Sequence, residues 1–98
     1  MNEYQLQEKR YEGARAKEVL DNEQFQHAFE DIEKEILSTW KSSPARDAEG
    51  RENLFLMLHM LNKVRMALEY RLQTGQIAEL ELQHKQSLAD RVKGIWQS

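Results

Sequence analysis

Apolar side chains recur along the whole chain at intervals of three and four residues, which is the period of an α-helix. Four segments follow this pattern. We therefore predict an all-α fold, a small antiparallel helical bundle of three to four helices built on a hairpin of the second and third helices. Residues 1–98 are expected to form a single helical domain, in which residues 84–98 are a C-terminal helix that either projects or docks on a partner.

The first segment, from Glu3 to about Leu20, has only a thin apolar stripe. Gly13 weakens its interior, because glycine costs about 1 kcal/mol relative to alanine within a helix. The segment is predicted to be a helix that depends on packing for its stability. Its stripe consists of Tyr4, Tyr11, Ala14 and Val19.

The second segment has the clearest helical pattern. Asp21 or Asn22 is a suitable N-cap, and Glu23 places a negative charge near the positive end of the helix dipole. Trp40 is in phase with the apolar stripe and is predicted to lie in the core. The stripe contains Phe25, Ala28, Phe29, Ile32, Ile36, Leu37 and Trp40.

A connector over residues 41–52 leads to the third segment. Ser43-Pro44 is a helix-start signal, and Asp47 offers a second cap one turn later. Residues 54–61 are apolar on most sides, which is typical of a helix at the centre of a bundle or inside an oligomer. Thr74-Gly75 is predicted to end the helix. The main stripe comprises Leu54, Met57, Leu58, Leu61, Val64, Leu68 and Leu72.

The fourth segment, Gln76 to Trp96, has a sparse and nearly heptad pattern that favours self-association. Trp96 is either an anchor in an interface or folds back onto its own bundle. The third helix has more apolar surface than one short partner can cover, so we expect a homo-oligomer. The predicted contact residues are Phe55, Met60, Met66, Ile95 and Trp96.

Composition narrows the class of protein. The 98 residues suffice for one domain, and the absence of cysteine excludes disulfides, thiolate nucleophiles and cysteine-based zinc sites. The longest apolar run, residues 54–58, is far shorter than the roughly 20 residues of a membrane span. The polar N-terminus does not resemble a signal peptide, so we expect a cytoplasmic protein, in a host cell or virion if it is phage-encoded.

Candidate catalytic chemistry is sparse. Glu81 and His84 form one Glu-x-x-His pair, whereas a di-iron bundle needs two such pairs and two further glutamates. His27 and His59 lack a nucleophile and an orienting partner at readable spacing. The four glycines are isolated and form no phosphate-binding loop. We therefore expect no enzyme activity, no catalytic residues, no metal, no cofactor and no small-molecule substrate.

Charged residues suggest two alternative functions. An acidic face on the second helix would suit a small inhibitor or regulator of a host or phage enzyme, and it comprises Glu30, Asp31, Glu33 and Glu35. A basic patch would suit a nucleic-acid-binding helper in packaging, although the net charge of −3 makes this the less favoured choice. The patch comprises Arg46, Arg51, Lys63, Arg65 and Arg71.

Residues 14–80 also resemble small helical proteins encoded by tailed bacteriophages. The similarity rests on residues 14–20, on Phe25 with Ala28-Phe29-Glu30, on Trp40, and above all on residues 44–52 before the Leu/Met-rich helix and Thr74-Gly75. Such proteins tend to be encoded beside packaging and virion-assembly genes. The resemblance implies an assembly or adaptor role, and it implies no catalytic residues.

Overall fold

The computed structural model describes residues 1–97 and contains three helices within them. These are α1 (Glu3–Asp21), α2 (Glu23–Ser42) and α3 (Ala48–Gln97), and no strand occurs in this part of the chain. The fold is therefore all-α. The predicted third and fourth helices are wrong as separate elements, because both belong to α3, which has 50 residues.

The chain forms two compact units. Unit 1 consists of Met1–Lys17 together with the part of α3 from Glu69 onward, and unit 2 consists of Glu18–Leu68. Of the predicted C-terminal segment 84–98, Ser98 lies outside the described residues.

In unit 1, α1 and α3 meet backbone to backbone at Gly13 and Gly75. A Cβ atom added to either glycine would lie 2.7 Å from the Cα of the other. It would also lie 2.9 Å from a carbonyl oxygen, that of Arg71 or of Lys9. Gly75 is therefore required by a close helix crossing. It does not have the positive φ of a helix stop, so the predicted end of the helix at Thr74-Gly75 is wrong.

Small side chains continue this crossing. Ala16 of α1 and Ala78 of α3 are buried, and Leu6 is fully buried. The predicted stripe of α1 is wrong because a closely approaching α3 covers the side of α1 that carries its small residues, while Tyr4, Tyr11, Ala14 and Val19 remain exposed. The contacts Arg10–Glu79 and Lys85 Nζ to the Met1 carbonyl show that α1 and α3 run antiparallel here.

Side-chain caps fix the helix ends of unit 2. The Phe25 N–H donates to Asn22 Oδ1 at 3.0 Å, so Asn22 is the N-cap of α2. The Gly50 N–H donates to Asp47 Oδ1 at 3.0 Å, which makes Asp47 the cap of α3. Ser43 instead closes the end of α2, where its N–H donates to the Trp40 carbonyl.

Within unit 2, α2 packs antiparallel to α3. Phe29 and Ile36 are the buried side chains of α2. The guanidinium of Arg65 lies 3.8 Å from the centre of the Phe29 ring, in phase with the half-buried leucines of α3. Met57 and Val64, which were predicted to be in the stripe, are more than half exposed. The half-buried positions of α3 in this unit are Arg51, Leu54, Leu58, Leu61, Arg65 and Leu68.

The close crossing at Gly75 predicts that an alanine there lowers stability, whereas an alanine at Gly94 does not. Gly75→Ala forces α1 and α3 apart, and we expect it to lower the free energy of unfolding by about 1–3 kcal/mol. Gly94→Ala is the matched control, since its Cβ meets nothing within 4 Å. It should leave stability unchanged or raise it by up to about 1 kcal/mol. Urea unfolding followed by circular dichroism measures both, and a Gly75→Ala protein as stable as the wild type would contradict the crossing.

Candidate functional site

Two apolar depressions flank the packed pair of α2 and α3 in unit 2. The first, which we name the α2–α3 groove, has a volume of about 650 Å³ and is lined by Ile32, Asn53, Leu56, Met57, Met60, Leu61 and Val64. The second, the Trp40 pocket, has a volume of about 210 Å³ and is lined by Ile36, Leu37, Trp40, Leu54, Phe55 and Leu58. Both have almost wholly apolar walls, which suits them to contact with another apolar surface.

The predicted contact residues of α3 in unit 2 are all exposed, but they do not form one surface. Met60 lines the α2–α3 groove, whereas Phe55 lines the Trp40 pocket. Five residues correspond to a rotation of roughly 140° about a helix, so these two side chains point to different flanks. The Phe55 ring stacks on His59 with 6.4 Å between centroids. Met66 is also exposed.

The remaining predicted contact residues lie in the C-terminal segment, which we define as residues 83–96 of α3. Every side chain in this segment is exposed. Trp96 is 83% exposed, so the structure does not show it folded back onto the bundle. Ile95 is 72% exposed, and Leu88 and Val92 are about half exposed. The segment therefore presents an apolar stripe on an otherwise polar helix.

The four predicted acidic residues are distributed around α2 and do not lie on one face of the helix. Glu30, Asp31 and Glu35 are exposed. Glu33 is half-buried, because it follows Phe29 by four residues and precedes Ile36 by three, which puts it on the side that packs on α3. The carboxylates of Glu33 and Glu35 thus point in different directions.

The basic residues have different environments. Arg51 Nη1 donates to Ser43 Oγ at 2.9 Å and to the Trp40 carbonyl at 3.3 Å. Its guanidinium lies 4.1 Å from the centre of the Trp40 ring. Arg65 covers the ring of Phe29 in the same manner. These two arginines therefore hold α3 against α2.

The other three predicted basic residues, Arg46, Lys63 and Arg71, are exposed. Lys63 precedes Arg65 by two residues, which corresponds to a rotation of roughly 200°, so their side chains leave α3 on nearly opposite sides. Because Arg51 and Arg65 pack on α2 while Lys63 is exposed, the structure does not place these three residues on one basic surface.

The histidines and carboxylates form no recognisable ligand site within residues 1–97. No three of these side chains come together to hold a metal ion, and no buried side-chain nitrogen or oxygen lacks a hydrogen-bond partner. His27 lies 3.9 Å from Glu23, and both side chains are largely exposed. In the same part of the chain, no helix has the length and apolar character needed to cross a membrane.

Comparison of the chain with models of known protein families, with curated proteins and with solved structures finds no match in any of the three.

The α2–α3 groove was not predicted from the sequence. Of its lining residues, Met60 was predicted to make contacts, Ile32, Met57 and Val64 were assigned to the core stripes, and Leu56 was assigned no role. The available signal was that residues 54–61 are apolar on most sides of α3. A helix of that kind cannot bury all its apolar residues against a single neighbour.

The contacts of Arg51 predict that its role is structural. We expect Arg51→Ala to lower the free energy of unfolding by about 1–2 kcal/mol, since it removes a cation–π contact and hydrogen bonds at the end of α2. Arg46→Ala is the matched control, because Arg46 is exposed in the connector, and we expect it to change stability by less than about 0.5 kcal/mol. Urea unfolding distinguishes the two, and equal stabilities would contradict the proposed role of Arg51.

Proposed function

We propose that this chain is a non-catalytic protein–protein interaction protein that acts as a homo-oligomer. The observation that carries the proposal is the α2–α3 groove, where Ile32, Met57, Met60 and Val64 expose apolar side chains side by side. Contiguous exposed apolar surface of this kind marks interaction sites in small proteins. Thirteen large apolar residues of α3 are exposed, which extends the surface available for contact beyond the groove.

A bundle of three to four helices, as predicted from the sequence, could form around α3 when several copies of the chain associate. A bundle of three to four helices needs neighbours on several sides of its central helix. In unit 2, α3 has one neighbouring helix in contact over residues 48–68, namely α2. We propose that helices of another copy supply the remaining neighbours.

The function in tailed-phage assembly, implied by the resemblance over residues 14–80, stays a prediction. An assembly or adaptor role is compatible with a protein that acts by contact alone. No observation on the acidic residues of α2 or on the basic residues favours the regulator or the nucleic-acid helper over self-association.

The proposal predicts that the mass in solution exceeds that of one chain. We expect light scattering on the full chain over about 1–100 µM to give a mass above 11.6 kDa that rises with concentration. Moderate salt should not abolish the association, because apolar side chains form the contact. A mass of 11.6 kDa throughout the series would overturn the proposal.

A further inference from the structure

The α2–α3 groove presents an ordered set of apolar side chains along α3. Met57, Met60 and Val64 follow one another at intervals of three and four residues, and each is more than half exposed. Ile32 of α2 forms the opposite wall. An apolar groove lined at this spacing accepts an amphipathic helix, whose own apolar residues recur at intervals of three and four.

The C-terminal segment carries such a set in the reverse order. Leu88, Val92 and Ile95 follow one another at intervals of four and three residues. Read backward along the chain, their spacing equals that of the groove residues. An antiparallel arrangement therefore places Val64 at Leu88, Met60 at Val92 and Met57 at Ile95, whereas a parallel arrangement of the same residues does not align them.

The two surfaces lie on parts of the chain that have opposite net charges. The two helix stretches that form the groove, Glu23–Ser42 of α2 and residues 48–68 of α3, contain seven acidic and five basic residues, which gives a net charge of −2. The C-terminal segment contains Lys85, Arg91 and Lys93 against Asp90, which gives a net charge of +2. Opposite charges beside an apolar contact accelerate encounter and disfavour the pairing of two acidic surfaces. The groove is therefore better matched to the C-terminal segment than to a second groove.

We propose that the C-terminal segment of one copy packs antiparallel in the α2–α3 groove of a second copy. The inference rests on the proposed self-association and names the surfaces that carry it. The occupant comes from another copy because the groove residues and the segment both belong to α3, and a continuous helix cannot fold back onto itself. The ring of Trp96, at the exposed end of the segment, adds an aromatic anchor to the contact.

Two full-length variants test the inference. The groove variant carries Met60→Glu and Val64→Glu, and the segment variant carries Leu88→Glu and Val92→Glu. All four side chains are about half exposed or more, so we expect both variants to keep the helical circular dichroism of the wild type. Each variant alone should associate at least about tenfold more weakly than the wild type in light scattering, because the contact buries carboxylates.

Mixing the two variants gives the decisive result. The groove variant retains an intact segment and the segment variant an intact groove, so an equimolar mixture should associate more tightly than either variant alone. Tyr4→Glu is the control, since Tyr4 is an exposed aromatic residue of α1 outside both surfaces, and its association should equal that of the wild type. If the groove variant loses helicity, Met57→Glu alone replaces it in the same mixing experiment.

The possible results separate the inference from the proposed function. A wild type that stays monomeric overturns both. A segment variant that associates like the wild type points to grooves that pair with grooves, and a groove variant that does so points to paired segments. Either result overturns the inference and leaves self-association standing. Two deficient variants that fail to associate when mixed also overturn it.

Discussion

The contact between the backbones of Gly13 and Gly75 is the constraint on which unit 1 depends. It brings α1 and α3 so close that neither position tolerates a Cβ atom. The neighbouring buried positions are accordingly small, as at Ala16 and Ala78, and Leu6 is the large side chain that closes the contact. Unit 1 therefore gains its stability from close packing of backbone and small side chains and less from the burial of bulky residues.

Much of the fold follows from the sequence. The cap at Asn22 and the helical period of α2 are local signals that the structure follows, whereas α3 begins after Asp47, the second of its two predicted caps, and not after Ser43. The role of Gly75 was not predictable in the same way. Glycine serves equally as a helix stop and at a close helix crossing, and only the distant Gly13 decides between the two roles. Such a pair is separated by 62 positions, so no local pattern reveals it.

The candidate site was predictable in part. The five predicted contact residues are exposed, but Phe55 and Met60 do not share one surface, because helix phase places them on different flanks of α3. The hydropathy pattern also assigned the wrong residues to the side of α3 that packs on α2. Arg65 occupies a packed position, where its planar guanidinium covers the Phe29 ring, while Met57 and Val64 are more than half exposed. A hydropathy pattern counts only apolar residues, so it does not identify an arginine that packs on an aromatic ring.

The two arginines packed on α2 also determine how α2 and α3 can be aligned lengthwise. Arg51 lies on Trp40 and Arg65 lies on Phe29, so each guanidinium meets an aromatic face. Sliding α3 by one heptad would place Arg65 beside Ile36, which offers a cation neither a π-face nor a hydrogen-bond acceptor. If only leucines occupied the side of α3 that packs on α2, the two helices could shift by one heptad without losing a specific contact. The arginines thus give the hairpin a single register, at some cost in apolar burial.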